Sequence, residues 1–239
     1  MGTQTASEAF FDYAKRFDVW RRRFPYRLWY RVRYPRDLAR VLCLNAPRGK
    51  DELIALYELG RSASAEGSIV EIGSFHGSSA AALALGSRKG NHPRIYSIDP
   101  YEPFAPPDSR RTYGPHDRVF LLRTILSAGV AEDVWLINLP SVAASRAWSG
   151  PISLLWIDGD HSYEGAKADF DAWSPFVIPG GLVAFDDTTD KNLGPWRVID
   201  EALQTGQFER HAAHGKIAVL RRQIGTSQHV ASAAQMQAT

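Results

Sequence analysis

At 239 residues, 44% hydrophobic and 23% charged, the chain has the apolar mass for one large globular domain and lacks the bias of a disordered or collagen-like sequence. Its one cysteine, Cys43, excludes an intrachain disulfide, no apolar run approaches the ~20 residues of a membrane span, and the polar start over residues 1–8 lacks the order of a signal peptide, so a reducing, cytoplasmic location is expected. The formal charge of +2 is unevenly spread: 12 Lys and Arg against 4 Asp and Glu over residues 1–50 give +8, and 16 against 22 in the remainder give −6.

Residues 8–36 interleave rings (Phe10, Phe11, Tyr13, Phe17, Trp20, Phe24, Tyr26, Trp29, Tyr30, Tyr34) with arginines, and Pro25 and Pro35 divide them into short helices. Rings at this density usually bury, so residues 1–49 are expected to form a helical layer packed on the body or on a second subunit in a homodimer. A substrate lid, a peripheral membrane contact and a nucleic-acid arm are the functional alternatives, the acidic body opposing the last.

Helical spacing follows over 50–64, at Leu53, Ile54, Leu56, Tyr57 and Leu59. Apolar runs then predict strands over 68–72, 94–99, 134–139, 152–158 and 181–186, separated by helices over 78–86, 117–128, 142–148, 163–176 and 195–204. Strand alternating with helix implies an α/β fold with a doubly wound, mostly parallel sheet and right-handed crossovers. Residues 207–211 and 216–220 read as an antiparallel hairpin turning at His214-Gly215, and 223–239 as a disordered tail. The segment 100–115 is a long proline-rich loop; Tyr101, Phe104, His116 and Trp196 are pocket walls or core.

The first strand runs into Gly73 and Gly77, whose lack of a Cβ allows close approach of backbone to a ligand. The amides of Ser78 and Ser79 open a helix whose N-terminus favours an anionic group. Asp99 ends the second strand, where a carboxylate can accept both hydroxyls of a ribose. The fourth strand ends in Asp158-Gly159-Asp160-His161 and the fifth in Asp186-Asp187, all beyond the carboxyl edge where ligands of such sheets bind. Acids converging there repel one another unless a cation or polar ligand joins them. Oxygen ligands alone favour magnesium, calcium or manganese, and a neutral histidine beside them can take a proton. Each has a structural alternative: Asp160 as a cap for the next helix with Glu164, Asp187 as a cap through Thr188-Thr189, His161 as a hydrogen-bonded structural residue.

The segments Glu71-Ile72-Gly73 with Gly77, Leu155-Trp156-Ile157-Asp158-Gly159-Asp160-His161-Ser162-Tyr163 and Pro179-Gly180-Gly181-Leu182-Val183-Ala184-Phe185-Asp186-Asp187 resemble class I S-adenosylmethionine-dependent methyltransferases. Within these they are most similar to the small O-methyltransferases that act on sugars and antibiotics. The resemblance covers residues 50–222 and implies a Rossmann-like, seven-stranded sheet. It implies that Glu71, Gly73, Gly77, Ser78, Ser79, Asp99, Ser141 and Asp158 line the S-adenosylmethionine site, Ser141 near adenine. It further implies that Asp158, Asp186 and Asp187 hold Mg2+ or another divalent cation such as Mn2+, with His161 as general base and Asp158 beside it in catalysis.

The expected function is therefore metal-assisted methylation of a hydroxyl on a small acceptor, a sugar or glycoside, with a catechol or other phenol as the alternative. A NAD-dependent oxidoreductase would use the same glycine turn and Asp99, but the third glycine of G-x-G-x-x-G is missing and the strand-end acids are unexplained. A non-catalytic module binding nucleic acid or anionic lipid through the basic arm is the third class.

Overall fold

The computed structural model describes residues 36–44, 48–103 and 113–224. The expectations for residues 1–35, for the centre of the 100–115 loop with Phe104, and for the tail from 225 lie outside these. Seven α-helices are described: α1 (Arg36–Leu42), α2 (Lys50–Ser62), α3 (Ser78–Ser87), α4 (Pro115–Ala128), α5 (Ser141–Ser145), α6 (Tyr163–Trp173) and α7 (Gly194–Gln204), with a 3-10 turn over Ser174–Phe176 ending the helix expected to reach 176. Seven strands form one sheet: β1 (Ser68–Ile72), β2 (Ile95–Ile98), β3 (Val134–Ile137), β4 (Ile152–Ile157), β5 (Val177–Phe185), β6 (Phe208–His214) and β7 (Ile217–Arg222), in the order β3-β2-β1-β4-β5-β7-β6. The first five pair in parallel and β7 runs antiparallel to both β5 and β6. This is the doubly wound fold with a terminal hairpin that the sequence predicts.

Both faces of the central strands are buried, which is why they read as unbroken apolar runs rather than alternating ones. Successive side chains nevertheless enter different layers. Ile69, Leu154, Trp156, Leu182, Ala184 and Val219 pack with α2, α3 and α4. Val70, Ile72, Leu155, Ile157, Val183, Phe185 and Leu220 pack with α6 and α7. α3 is buried all round, so its small residues suit a helix wedged between the sheet and α2.

Several element bounds differ from expectation. β3 stops at Ile137, and α5 ends at Ser145 instead of reaching 148. α4 starts two residues early, at Pro115, because Asp117 takes the Gly114 amide at 2.9 Å and caps the turn before it. β5 begins at Val177, and Ile152 pairs with Val177 but Leu154 with Leu182, so Pro179-Gly180-Gly181 form a bulge in the strand rather than a lead-in to it. The hairpin turn is Gly215-Lys216, one residue later than expected. Among the described residues no helix is long and apolar enough to cross a membrane.

β1 is flanked by β2 on one side and β4 on the other, so the chain winds outward in both directions from the β1–β4 pair. That topological switch opens a crevice at the carboxyl edge. The strand ends there are level: the Gly73 amide donates to the Ile98 carbonyl, Asp158 to Ile72, Asp186 to Ile157 and Asp99 to Ile137. The acids and the glycine turn therefore share one rim.

Candidate active site

The turn after β1 is held tightly against the end of β4. Gly73 has φ of +83°, and a Cβ there would stand 2.1 Å from the Asp158 carbonyl oxygen, so only glycine lets the two loops meet. Gly77, also at positive φ, precedes α3, and Ser78 and Ser79 are buried in its first turn. Asp99 organises this turn from β2. Its Oδ2 accepts the Ser74 and Phe75 amides at 3.1 and 3.0 Å, and its Oδ1 accepts the Tyr101 amide at 2.9 Å. Phe75 and Tyr101 sit at φ of 45° and 51°, a conformation that bulky residues rarely adopt, and those bonds help hold them in it.

Glu71 lies beneath the turn. It is wholly buried; Ser97 donates to its Oε2 at 2.5 Å, and Oε1 has no hydrogen-bond partner. Burial pushes its carboxyl above the usual range. The space a Cβ would take at Gly73 is filled by the Asp158 backbone and at Gly77 by Leu121, so these glycines serve loop packing rather than ligand approach; the buried Glu71 carboxyl and the Asp99 oxygens remain as the polar groups at this end of the sheet. Ser141 begins α5 at the same edge, but its hydroxyl donates to Asp169, and its carbonyl accepts the Trp173 indole at 3.2 Å. The side chain expected near adenine is thus committed to packing α5 on α6.

The strand-end acids converge as expected, with a different filling. Arg48, just before α2, donates to Asp158 Oδ2 through one guanidinium nitrogen and to Asp186 Oδ2 at 2.6 Å through the other. Glu52 lies 3.8 Å from the same guanidinium, and the Trp156 ring lies beneath it at 5.5 Å. Lys216 reaches Asp187 at 2.7 Å and Asp186 at 3.2 Å. Asp187 adopts φ of 52°, which aspartate tolerates, and its Oδ2 lies 3.0 Å from His161 Nδ1. The hydrogen bond with His161 holds the Asp187 carboxyl well below its usual range, against the effect of burial. The same bond raises the imidazole above its ordinary value, again against burial.

The metal assignment needs correction. Among the described residues no group of three or more His, Cys, Asp and Glu side chains is placed to hold a metal ion. Asp158, Asp186 and Asp187 do gather, but their inward oxygens already face the Arg48 and Lys216 cations, and a divalent ion would have to enter against both charges. The residues as arranged do not fit the expected Mg2+ or Mn2+. Asp160 is not the cap of α6: Ser162 caps that helix, and Asp160 stands behind it, accepting the Ser162 amide and hydroxyl at 3.0 and 2.8 Å. Asp187 does not cap; it orients His161.

Arg48 and Lys216 are the members of this cluster that the sequence reading missed. Lys216 could have been found, because a hairpin returning antiparallel beside β5 must bring its turn to the end of that strand. Arg48 carries no such signal, standing 110 and 138 residues from its two partners.

Residues 70–188, from β1 to just past the Asp186-Asp187 pair, match a family model described as a methyltransferase domain. The chain belongs to that family. The class I methyltransferase architecture agrees with solved structures. An O-methyltransferase from Bacillus cereus in complex with SAH superposes with a TM-score of 0.57 at 17% identity, covering 79% of this chain and 92% of that one. A TDP-rhamnose 3'-O-methyltransferase of calicheamicin biosynthesis gives 0.51 at 18% identity, covering 71% and 76%. Identities this low speak to the fold. An uncharacterized protein of Acanthamoeba polyphaga mimivirus is 41% identical over 44 residues, 18% of this chain, and the match spans only 20% of that relative's length.

Proposed function

We propose that the chain transfers a methyl group from S-adenosylmethionine to a hydroxyl oxygen of a small acceptor, a sugar or glycoside. The observation carrying this reading is the contact of Gly73 with Asp158: it sets the donor turn of a methyltransferase domain directly against the loop bearing His161. The sugar acceptor is supported by the fold shared with the TDP-rhamnose enzyme and by a histidine in the position of the base.

When bound, S-adenosylmethionine supplies an activated methyl on a sulfonium, so little chemical activation is left to the protein. Glu71, Gly73, Gly77 and Asp99 orient the donor at the rim, and the α3 N-terminus, through Ser78 and Ser79, favours its carboxylate. The task left is to position the acceptor oxygen and remove its proton. His161 is equipped for that: Asp187 on Nδ1 fixes the tautomer that leaves Nε2 as the accepting nitrogen. His161 Nε2 would take the proton of the acceptor hydroxyl, and S-adenosylmethionine held by Glu71, Gly73, Gly77 and Asp99 would supply the methyl group. No step here requires a divalent ion.

Calorimetry with S-adenosylmethionine, followed by methyl transfer from labelled donor to a panel of sugar nucleotides and catechols, tests the proposal. Donor binding and methylation of at least one sugar hydroxyl are expected. Absence of donor binding would end the assignment, and methylation of catechols alone would replace the acceptor class.

A further inference from the structure

We propose that Arg48 is the resident cation of this site, holding by its guanidinium the position that the resemblance gives to a divalent metal, so that the carboxylates are organised without one. The inference rests on the methyltransferase reading, because it concerns the same strand-end cluster.

The geometry is that of a bridge. Asp158 comes from the end of β4 and Asp186 from the end of β5, and one guanidinium gives a separate nitrogen to each. The side chains are 11%, 10% and 3% exposed for Arg48, Asp158 and Asp186, so the pairs are desolvated together. Two carboxylates taken out of water side by side need a compensating charge, and arginine is the side chain that cannot relieve the strain by losing its proton. Its planar fork also fixes the spacing of the two acids, a task otherwise done by coordination geometry. Packing over the Trp156 ring and proximity to Glu52 hold the head group from behind. A metal ion entering here would have to expel Arg48 and leave a buried guanidinium unpaired. Asp186 Oδ1 is buried and has no hydrogen-bond partner, so the guanidinium is the main compensation for that carboxylate beside Lys216.

Manganese binding followed by electron paramagnetic resonance tests this on the full chain, with Arg48→Ala, Asp158→Asn and Asp186→Asn beside the wild type. The wild type should bind no manganese tighter than about 1 mM, the weak end of carboxylate sites. Arg48→Ala frees Asp158 and leaves Asp186 with the more exposed Lys216 alone, and it should bind one ion at least about tenfold tighter; the added Asp158→Asn change should abolish that binding. One tightly bound manganese in the wild type, lost in Asp158→Asn, would overturn the proposal. So would silence in both wild type and Arg48→Ala, since the acids would then not converge on the arginine's place. Should Arg48→Ala fail to fold, Arg48→Gln keeps donors and bulk while removing the charge, and the same criteria apply. S-adenosylmethionine calorimetry on the wild type separates the two ideas: failed donor binding sinks the methyltransferase reading and leaves the manganese result standing.

Discussion

His161 stands between two carboxylates, with Asp187 Oδ2 at 3.0 Å from Nδ1 and Asp158 Oδ1 at 3.7 Å from Nε2. The closer acid sets the tautomer and raises basicity, while Nε2 stays free enough to meet a hydroxyl. His161→Gln should lower kcat by about 10²–10⁴-fold, the usual worth of a placed general base, with donor affinity unchanged within about twofold. Rates within about threefold of wild type in a steady-state assay would move the base elsewhere. Asp169 shows the opposite use of a buried acid. Burial pushes its carboxyl up to about 6, although Ser141 donates to it, and the Asp160 charge adds to the rise. Because the folded form binds the proton more tightly than the unfolded chain, folding is favoured below about pH 4 and loses that advantage as pH climbs through 6. A rise of this size corresponds to about 3 kcal/mol at most. Asp169→Asn, which keeps an acceptor for Ser141, should therefore raise the melting temperature at pH 8 and leave it unchanged near pH 4. A gain equal at both values would mean that charge burial is not the cause.

α2 and α3 approach through reciprocal glycines. A Cβ at Gly86 would lie 1.9 Å from the Tyr57 carbonyl oxygen, and one at Gly60 would lie 2.2 Å from that of Leu83. Helix propensity alone favours Gly86→Ala by about 1 kcal/mol. The obstacle is backbone rather than a flexible side chain, so the helices must part, and a net loss of about 1–3 kcal/mol is expected in urea melts. A stabilised variant would show that the helices pack less closely. The elements themselves were legible in the sequence because the strands are buried on both faces, and β1 and β4 match their expected bounds to within a residue. Illegible points have local causes. Pro179-Gly180-Gly181 carries turn chemistry that β5 absorbs as a bulge, so the strand starts earlier than its apolar run suggests. The Ser141 hydroxyl turns to Asp169, a partner 28 residues away that no local pattern marks.

Over the whole molecule, the strand order sets where the β1 turn and the strand-end acids meet, because β1 and β4 are neighbours whose following loops leave the sheet at one switch point. That much follows from alternating strands and helices plus acids at strand ends, and it explains why the rim residues could be named from sequence. Arg48 in the cluster could not, since a charge standing 110 and 138 residues from its partners leaves no periodic trace. Asp99 couples rim and scaffold most directly, since its carboxylate accepts three backbone amides from the β1 turn and from Tyr101. A residue serving only to meet a ribose would leave the free protein's stability untouched when replaced. Asp99→Asn should instead lower the melting temperature without ligand, because one amide acceptor becomes a donor facing backbone N–H groups. The wild type at about 100 times its donor dissociation constant should gain about 2.7 kcal/mol, or roughly 5–10 °C for a chain of this size. Asp99→Asn should lose most of that gain as well. A variant that melts like wild type without donor but shows no ligand shift would confine Asp99 to the ribose, and the turn would owe its shape to Gly73 and Gly77 alone.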